Sequence, residues 1–169
     1  MTDATHHHHA WTTWIDEFGW RLLAHARQIT RSDQDAEDLL QNVILELWKA
    51  TPSATPDLPL AYRKISQRAI DLGRSSQSRS QREETWQQDP ALQPEFTTPQ
   101  LSQSEEHDLV NRAIAELDQP LREIISLKLW GELTFQHIAE ILDIPKSTAA
   151  ARYQLALLHL ESALKPLTT

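Results

Sequence analysis

The fold is decided by residues 134–164, TFQHIAEILDIPKSTAAARYQLALLHLESAL. Apolar residues recur with helical spacing over 135–142 and again over 147–164, which predicts two helices. Asp143 tolerates the positive φ that a tight turn requires, and Pro145 prevents the two helices from joining. The stretch therefore predicts a helix-turn-helix, in which the second helix can enter the major groove of DNA.

The start of the second helix carries the groups best suited to contact DNA. Unpaired N–H groups and the helix dipole favour a phosphate at a helix N-terminus, and an arginine one turn further on reaches a base edge or a phosphate. The pattern by itself is weakly specific, because many two-helix hairpins bind no DNA. The candidate DNA contacts of this segment are Thr134, which also caps the first helix, and Lys146, Ser147, Thr148, Arg152 and Tyr153.

The rest of the chain also has helical periodicity, and no strand-like alternation competes with it. A Ser-, Gln-, Thr- and Pro-rich stretch near residues 75–104 has the composition of a linker. The predicted fold is all-α, with two small helical modules joined by a polar linker, the second containing the helix-turn-helix. The predicted boundaries are 1–80 for the first module, 81–104 for the linker and 105–169 for the second module.

Within these modules, three helices are predicted over residues 11–29, 33–48 and 60–73, with continuation toward Arg82 as the alternative end of the third, and two more helices over 105–117 and 119–129. The inner side of the third helix is predicted to carry Leu60, Ile65, Ala69 and Leu72. Asp118 is expected to cap the fifth predicted helix, and Gly131 is expected to stop it.

Charge is distributed unevenly over the 169 residues, which carry 16 basic and 24 acidic side chains for a net charge of −8. Residues 63–82 contain six basic groups and one acid, whereas residues 83–118 contain one basic group and nine acids. Because salt screens charges beyond about 8–10 Å, the basic segment remains a candidate phosphate-contacting surface. The acidic total should nevertheless suppress DNA binding by the chain alone.

Composition excludes several classes of site. The absence of Cys excludes disulfides and thiolate chemistry, and three Gly leave no room for a Gly-rich phosphate loop. No apolar run approaches the roughly 18 residues of a membrane span, and no signal peptide precedes the first helix, so a cytoplasmic location is expected. The run His6–His9 has no further ligand at fixed spacing, and we predict no metal site or cofactor.

Three stretches together resemble the extracytoplasmic-function (ECF) sigma factors of bacteria, a group of the sigma-70 superfamily. They are DAEDLLQNVILELW at 35–48, AYRKISQRAIDLGR at 61–74, and LDQPLRE at 117–123 followed by AEILDIP at 139–145. Each motif is moderately specific, whereas their order, with a polar linker between them, is strongly specific. The resemblance covers most of residues 15–165.

The resemblance implies two partners, core RNA polymerase and promoter DNA, with an anti-sigma-like regulator as a candidate third. It implies that the protein makes or breaks no bond and is not an enzyme. Residues implied to face polymerase are Asp35, Glu37, Asp38, Gln41 and Asn42. Residues implied to contact the minus-ten element, with an aromatic ring available to stack on a base, are Tyr62, Arg63, Lys64, Gln67, Arg68, Asp71, Arg74 and Arg79. The helix-turn-helix would bind the minus-thirty-five element.

The chain departs from the family pattern in places, and this keeps two other functions open. Asn42 stands where relatives usually have an acid, Gln67 where they usually have Asn, and the last helix has fewer basic residues. Its apolar residues cover more than one face, so part of that surface is expected to contact a regulator or the first module. The alternatives are a sigma-like adaptor that binds only proteins, and a stand-alone helix-turn-helix regulator that binds a palindrome as a dimer.

Overall fold

The computed structural model describes residues 2–80 and 105–165, with side chains for 4–73 and 108–165. Within these ranges the chain is helical and has no strand, which confirms the predicted all-α class. The predicted linker, 81–104, lies outside the described residues. The helices are α1 (Thr2–Thr30), α2 (Asp33–Ala50), α3 (Leu58–Ser80), α4 (Glu105–Ala115), α5 (Gln119–Leu129), α6 (Phe135–Leu142) and α7 (Lys146–Leu164).

Helix α1 begins well before residue 11, where the sequence pattern placed its start. The histidine run lies inside the helix, because neither Gly nor Pro interrupts the chain there, and the hydroxyl groups of Thr12 and Thr13 donate to the carbonyls of His8 and His9. Ser32 separates α1 from α2, and its side chain accepts a hydrogen bond from the Asp35 N–H. This N-cap fixes the direction in which α2 leaves the turn.

Helix α3 buries one side only, and the prediction of that side was partly wrong. Ile65 and Ala69 are buried as expected, whereas Leu60 and Leu72 are exposed. The buried stripe instead includes Ala61, because α1 and α2 together cover the side on which residues 61, 65 and 69 lie. Leucine spacing alone could not choose between the two sides.

The turns around α5 differ from the prediction in detail. Asp118 precedes the helix, but its side chain makes no capping hydrogen bond; its backbone carbonyl accepts from the Leu121 and Arg122 N–H groups instead. After α5, the residue with positive φ is Glu132 and not Gly131. Gly131 is required for a different reason, since a Cβ atom there would lie 2.5 Å from the Leu127 carbonyl oxygen.

The two helical groups, 2–80 and 105–165, pack against each other. Helix α1 lies on α5, and α3 lies on α6. A single hydrophobic core crosses this boundary, joining residues such as Leu22 and Ile65 of the first group to Ile124 and Ile138 of the second. A smaller core lies between α4, α5 and α7. Burial of apolar area therefore stabilises the packing between the two helical groups as well as the packing within each group.

Polar contacts reinforce the boundary between the two groups. The Arg122 Nε atom on α5 donates to the Gln28 carbonyl oxygen of α1 at 2.7 Å, and the Arg31 Nη2 atom donates to the Ala115 carbonyl oxygen at 2.7 Å. Arg122 is only 4% exposed, and its Nη1 atom also donates to the Leu117 carbonyl oxygen at 2.7 Å. Each guanidinium therefore donates across the boundary to a backbone carbonyl in the last turn of a helix, where carbonyls lack a helical N–H partner.

Candidate functional site

Helix α2 presents a continuous polar face to solvent. Its apolar stripe, Ala36, Leu39, Val43 and Leu47, is buried. Of the five residues predicted to face polymerase, four are exposed and Glu37 is half-buried. The exposed four are Asp35, Asp38, Gln41 and Asn42. The fold therefore leaves this face available to a partner.

Two large apolar side chains extend the same face and were not included in the predicted site. Leu45 is 48% exposed and Trp48 is 45% exposed. Both positions follow Gln41 by intervals of about one and two helical turns, so they share its face. That spacing was visible in the sequence and could have identified them.

The basic segment of α3 is partly neutralised by α2. The Glu46 carboxylate accepts from the Lys64 Nζ atom at 2.8 Å and from the Arg68 Nη2 atom at 2.9 Å. These hydrogen bonds, with Lys64 first, hold the pKa of Glu46 below its ordinary value. Arg68 also lies 3.7 Å from Asp71. These two cations and two carboxylates sum to zero, so this face is less basic than the count suggested.

The other predicted contacts on α3 have different environments. Arg63 and Gln67 are exposed, one helical turn apart, on the side of α3 nearest the second helical group. Arg74 and Arg79 lie in the helix, but their side chains are outside the described residues. Arg63 and Gln67 thus form the described part of the surface that remains open to DNA.

The position of Tyr62 contradicts the prediction that its ring is available to stack on a base. Its side chain is 0% exposed, and its ring packs edge-on against His25 with 5.3 Å between ring centroids. Burial raises the pKa of its phenol. Tyr62 is therefore a core residue in this structure and offers no face on which a base could stack.

The helix-turn-helix forms as the sequence predicts. The Thr134 hydroxyl oxygen accepts from the His137 N–H at 3.2 Å and caps α6. Asp143 ends α6 with φ 52° and ψ 51°, the left-handed conformation expected of it. Ile144 then packs against the core and donates its N–H to the Ala139 carbonyl oxygen at 3.0 Å. Local turn chemistry thus fixes the angle at which α7 begins.

The predicted DNA contacts on this motif divide into two groups. Thr134, Lys146 and Ser147 are exposed, and Thr148 and Arg152 are half-buried. Tyr153 instead packs its ring edge-on against Phe135, with 5.4 Å between centroids, and touches both hydrophobic cores. Tyr153 therefore holds α6 against α7, and its predicted role in DNA contact is not supported by its position.

Helix α7 leaves several leucines uncovered. Leu155, Leu157 and Leu158 are exposed, while Ala156 and Leu160 face the core. The first helical group packs on α5 and α6 and leaves these three leucines exposed, so contact with a regulator stays a prediction for this part of the surface. The apolar surface of α7 stays open to another protein.

A groove of about 530 Å³ lies between α3 and the helix-turn-helix. Arg63 and Gln67 line one side, and Arg152 lines the other together with Glu140 and Asp143. Arg63 and Gln67 of the candidate minus-ten surface therefore lie across one groove from Arg152 of the candidate minus-thirty-five surface. In the part of the chain that the structure describes, no cluster of three or more His, Asp or Glu could hold a metal ion, and no helix is long and apolar enough to cross a membrane.

Comparisons with known proteins agree with this architecture. Residues 14–79 match the family model "Sigma-70 region 2", and residues 107–160 match "Sigma-70, region 4". The chain is 26% identical over 160 residues to the ECF RNA polymerase sigma factor SigK of Mycobacterium ulcerans, covering 92% of this chain and 86% of the relative.

A solved structure has the same fold. It is the sigma factor RpoE in complex with the anti-sigma factor NepR from Bartonella quintana, with a TM-score of 0.71 and 18% identity over 91% of this chain and 96% of that chain. The two matched regions correspond to the two helical groups, in the same order. The chain belongs to the sigma-70 family and is a sigma factor of the ECF group.

Proposed function

We propose that this protein directs promoter-specific transcription initiation by binding core RNA polymerase through the exposed face of α2 and promoter DNA through α3 and α7. The observation that carries the proposal is the α2 face itself. Asp38, Gln41, Leu45 and Trp48 combine acidic, amide and apolar groups on one exposed stripe. Such a stripe suits a protein partner with a basic surface and an apolar centre.

The proposed DNA contacts are two small sets, exposed except for the half-buried Arg152. Arg63 and Gln67 would contact the minus-ten element, and Lys146, Ser147 and Arg152 the minus-thirty-five element. Each cation that neutralises a phosphate contributes about one unit to the salt dependence of binding. With so few available cations among the described side chains, we expect weak DNA binding by the free chain. Polymerase would hold both surfaces near one promoter and raise their effective concentration to about the mM range.

A charge reversal on α2 tests the polymerase contact. Asp38→Lys should weaken binding to core polymerase at least tenfold and lower run-off transcription equally. Asp16→Lys is the matched control, because Asp16 is an exposed acid on α1 and is not one of the residues of the proposed face. Normal transcription by the Asp38→Lys variant would refute the placement of the interface. Failure of the parent protein to bind polymerase at low salt would refute the function.

A second experiment separates the sigma-factor function from a protein-only adaptor. Arg63→Glu leaves the ion pairs of Glu46 intact, since Arg63 takes no part in them. We expect it to retain polymerase binding and to lose promoter opening, measured by permanganate reactivity of the minus-ten region. An adaptor that ignores DNA would open no promoter in the parent protein either. A stand-alone regulator would bind a palindrome as a dimer without polymerase.

A regulator of the anti-sigma class is proposed for the uncovered leucines of α7. The exposed pair Leu155 and Leu158 would lose most of the apolar contact area on double substitution by Ala. We expect this variant to escape inhibition by such a regulator while retaining polymerase binding. Equal inhibition of parent and variant would place the contact elsewhere.

A further inference from the structure

A buried histidine lies where the two helical groups meet. His25 on α1 is 0% exposed. Its Nδ1 atom is hydrogen-bonded to the Ser126 hydroxyl on α5, and its Nε2 atom lies 3.4 Å from the Ser66 hydroxyl on α3. One imidazole on α1 therefore links α5 of the second helical group to α1 and α3 of the first group.

The surroundings of His25 suit a neutral ring. Its polar neighbours are the hydroxyls of Ser66 and Ser126, and the Tyr62 ring packs against it from α3. A neutral imidazole has one donor and one acceptor, and a hydroxyl can pair with either. A charged imidazolium would donate from both nitrogens, and the two hydroxyls could accept these bonds, but neither hydroxyl carries a negative charge to offset the cost of burying the cation.

The charged groups on the surrounding elements are directed elsewhere. Arg21, one turn before His25 on α1, lies 3.6 Å from Glu132 in the loop after α5. Arg122, one turn before Ser126, donates to the carbonyls of Gln28 and Leu117. The stripes that α2 and α6 bury are apolar. No carboxylate among the described contacts of His25 could stabilise a positive charge on the ring.

The groove between α3 and the helix-turn-helix is lined by both helical groups, and we call their packed arrangement closed. Its volume of about 530 Å³ is that of a small-molecule site. Glu140 and Asp143 also oppose the Arg63 side of the groove. While the halves stay together, Arg63 and Arg152 line one groove and share it with these carboxylates.

We propose that His25 is a proton-sensitive latch, which holds the two helical groups of the sigma factor together, with Arg63 and Arg152 lining one groove, and lets the groups separate when the ring is protonated. The effect on DNA binding rests on the proposed function, whereas the closure does not. Separation of α5 from α1 and α3 would admit water to the ring and leave room for its charge.

The direction of the pH dependence follows from burial. Burial lowers the pKa of His25 from 6.5 to about 3 in the closed form, and the open form should have the ordinary value. Protonation therefore favours the open form as pH falls below about 6.5. Between pH 7.5 and 5.5 the ratio of open to closed molecules should rise about tenfold.

The test measures the distance between the two helical groups in the full chain. The sequence has no Cys, so Lys49→Cys on α2 and Glu161→Cys on α7 give two exposed labelling sites. Single-molecule energy transfer then counts closed and open molecules. We expect the open-to-closed ratio to rise about tenfold from pH 7.5 to 5.5 with unchanged helical circular dichroism. A constant ratio, or loss of helicity over this range, would overturn the latch.

Variants identify the responsible group. His25→Gln should abolish the pH response, whereas His159→Gln, at an exposed histidine of α7, should retain it. Ser126→Ala removes the partner but not the titrating ring, so it should raise the open population at pH 7.5 and still respond to acid. A full response in His25→Gln, or none in Ser126→Ala, would contradict the proposal. None of these measurements needs polymerase, so their failure is distinct from failure of the proposed function.

Discussion

Arg122→Ala should be the most damaging single substitution on the boundary between the two helical groups. Arg122 is 4% exposed and donates two hydrogen bonds of 2.7 Å, one to the Gln28 carbonyl oxygen and one to the Leu117 carbonyl oxygen. Gln28 lies in the last turn of α1, where carbonyls lack helical partners and the dipole favours a cation. The guanidinium therefore caps α1 from the other half of the molecule.

The expected loss follows from these two bonds. Hydrogen bonds to a charged group contribute about 1.5–3 kcal/mol each, and their removal leaves two carbonyls unsatisfied. Burial, followed by the nearby charge of Arg31, lowers the pKa of Arg122, which indicates that holding the charge there has a cost. Allowing for that cost, we expect a net loss of about 2–4 kcal/mol in the free energy of unfolding.

Thermal unfolding followed by circular dichroism measures this loss. For a chain of this size, 1 kcal/mol corresponds to about 2–4 °C, so Tm should fall by roughly 4–16 °C. Arg122→Lys should lose about half as much, because an ammonium cannot reproduce the two-pronged geometry. Arg112→Ala, at an exposed arginine of α4, is the control and should stay within about 0.5 kcal/mol of the parent. A Tm for Arg122→Ala within about 2 °C of the parent would refute the reasoning.

Three further substitutions test local features. Gly131→Ala should lower Tm by several degrees in the same melt, because its Cβ would lie 2.5 Å from the Leu127 carbonyl oxygen. Asp143→Gly should raise stability by up to about 1 kcal/mol in urea unfolding, since Gly adopts φ 52° without steric cost. Glu46→Gln should destabilise the protein near neutral pH. Because the folded-state pKa of Glu46 is lowered, the difference from the parent should persist above about pH 4.5 and disappear as pH falls below it, as measured by Tm against pH.

The features that the sequence predicted best are those decided by neighbouring residues. Thr134 caps α6, Asp143 forms the turn that ends it, and Pro145 separates α6 from α7. Each of these residues acts within four positions of its own place in the chain. The exposed face of α2 was likewise predictable, because helical spacing alone sets it opposite the buried stripe. These parts of the site needed no knowledge of distant contacts.

The errors arose where distant parts of the chain meet. Tyr62 was expected to face DNA but is buried against His25, 37 positions earlier in the chain. Lys64 and Arg68 were counted as available cations, whereas Glu46 binds both from another helix. A single histidine in a helix gives no pattern, so the role of His25 at the boundary was visible only after α5 had been placed beside α1.

Pairing between opposite charges explains how an acidic chain can be suited to binding DNA only together with polymerase. Glu46 and Asp71 neutralise two cations of α3, and Glu140 and Asp143 share the groove with the arginines on either side of it. Release from polymerase would return the chain to a state in which its own carboxylates compete with phosphate for these arginines. Free sigma factor should therefore bind promoter DNA weakly, and opening of the two halves should matter more for DNA binding than any single base contact.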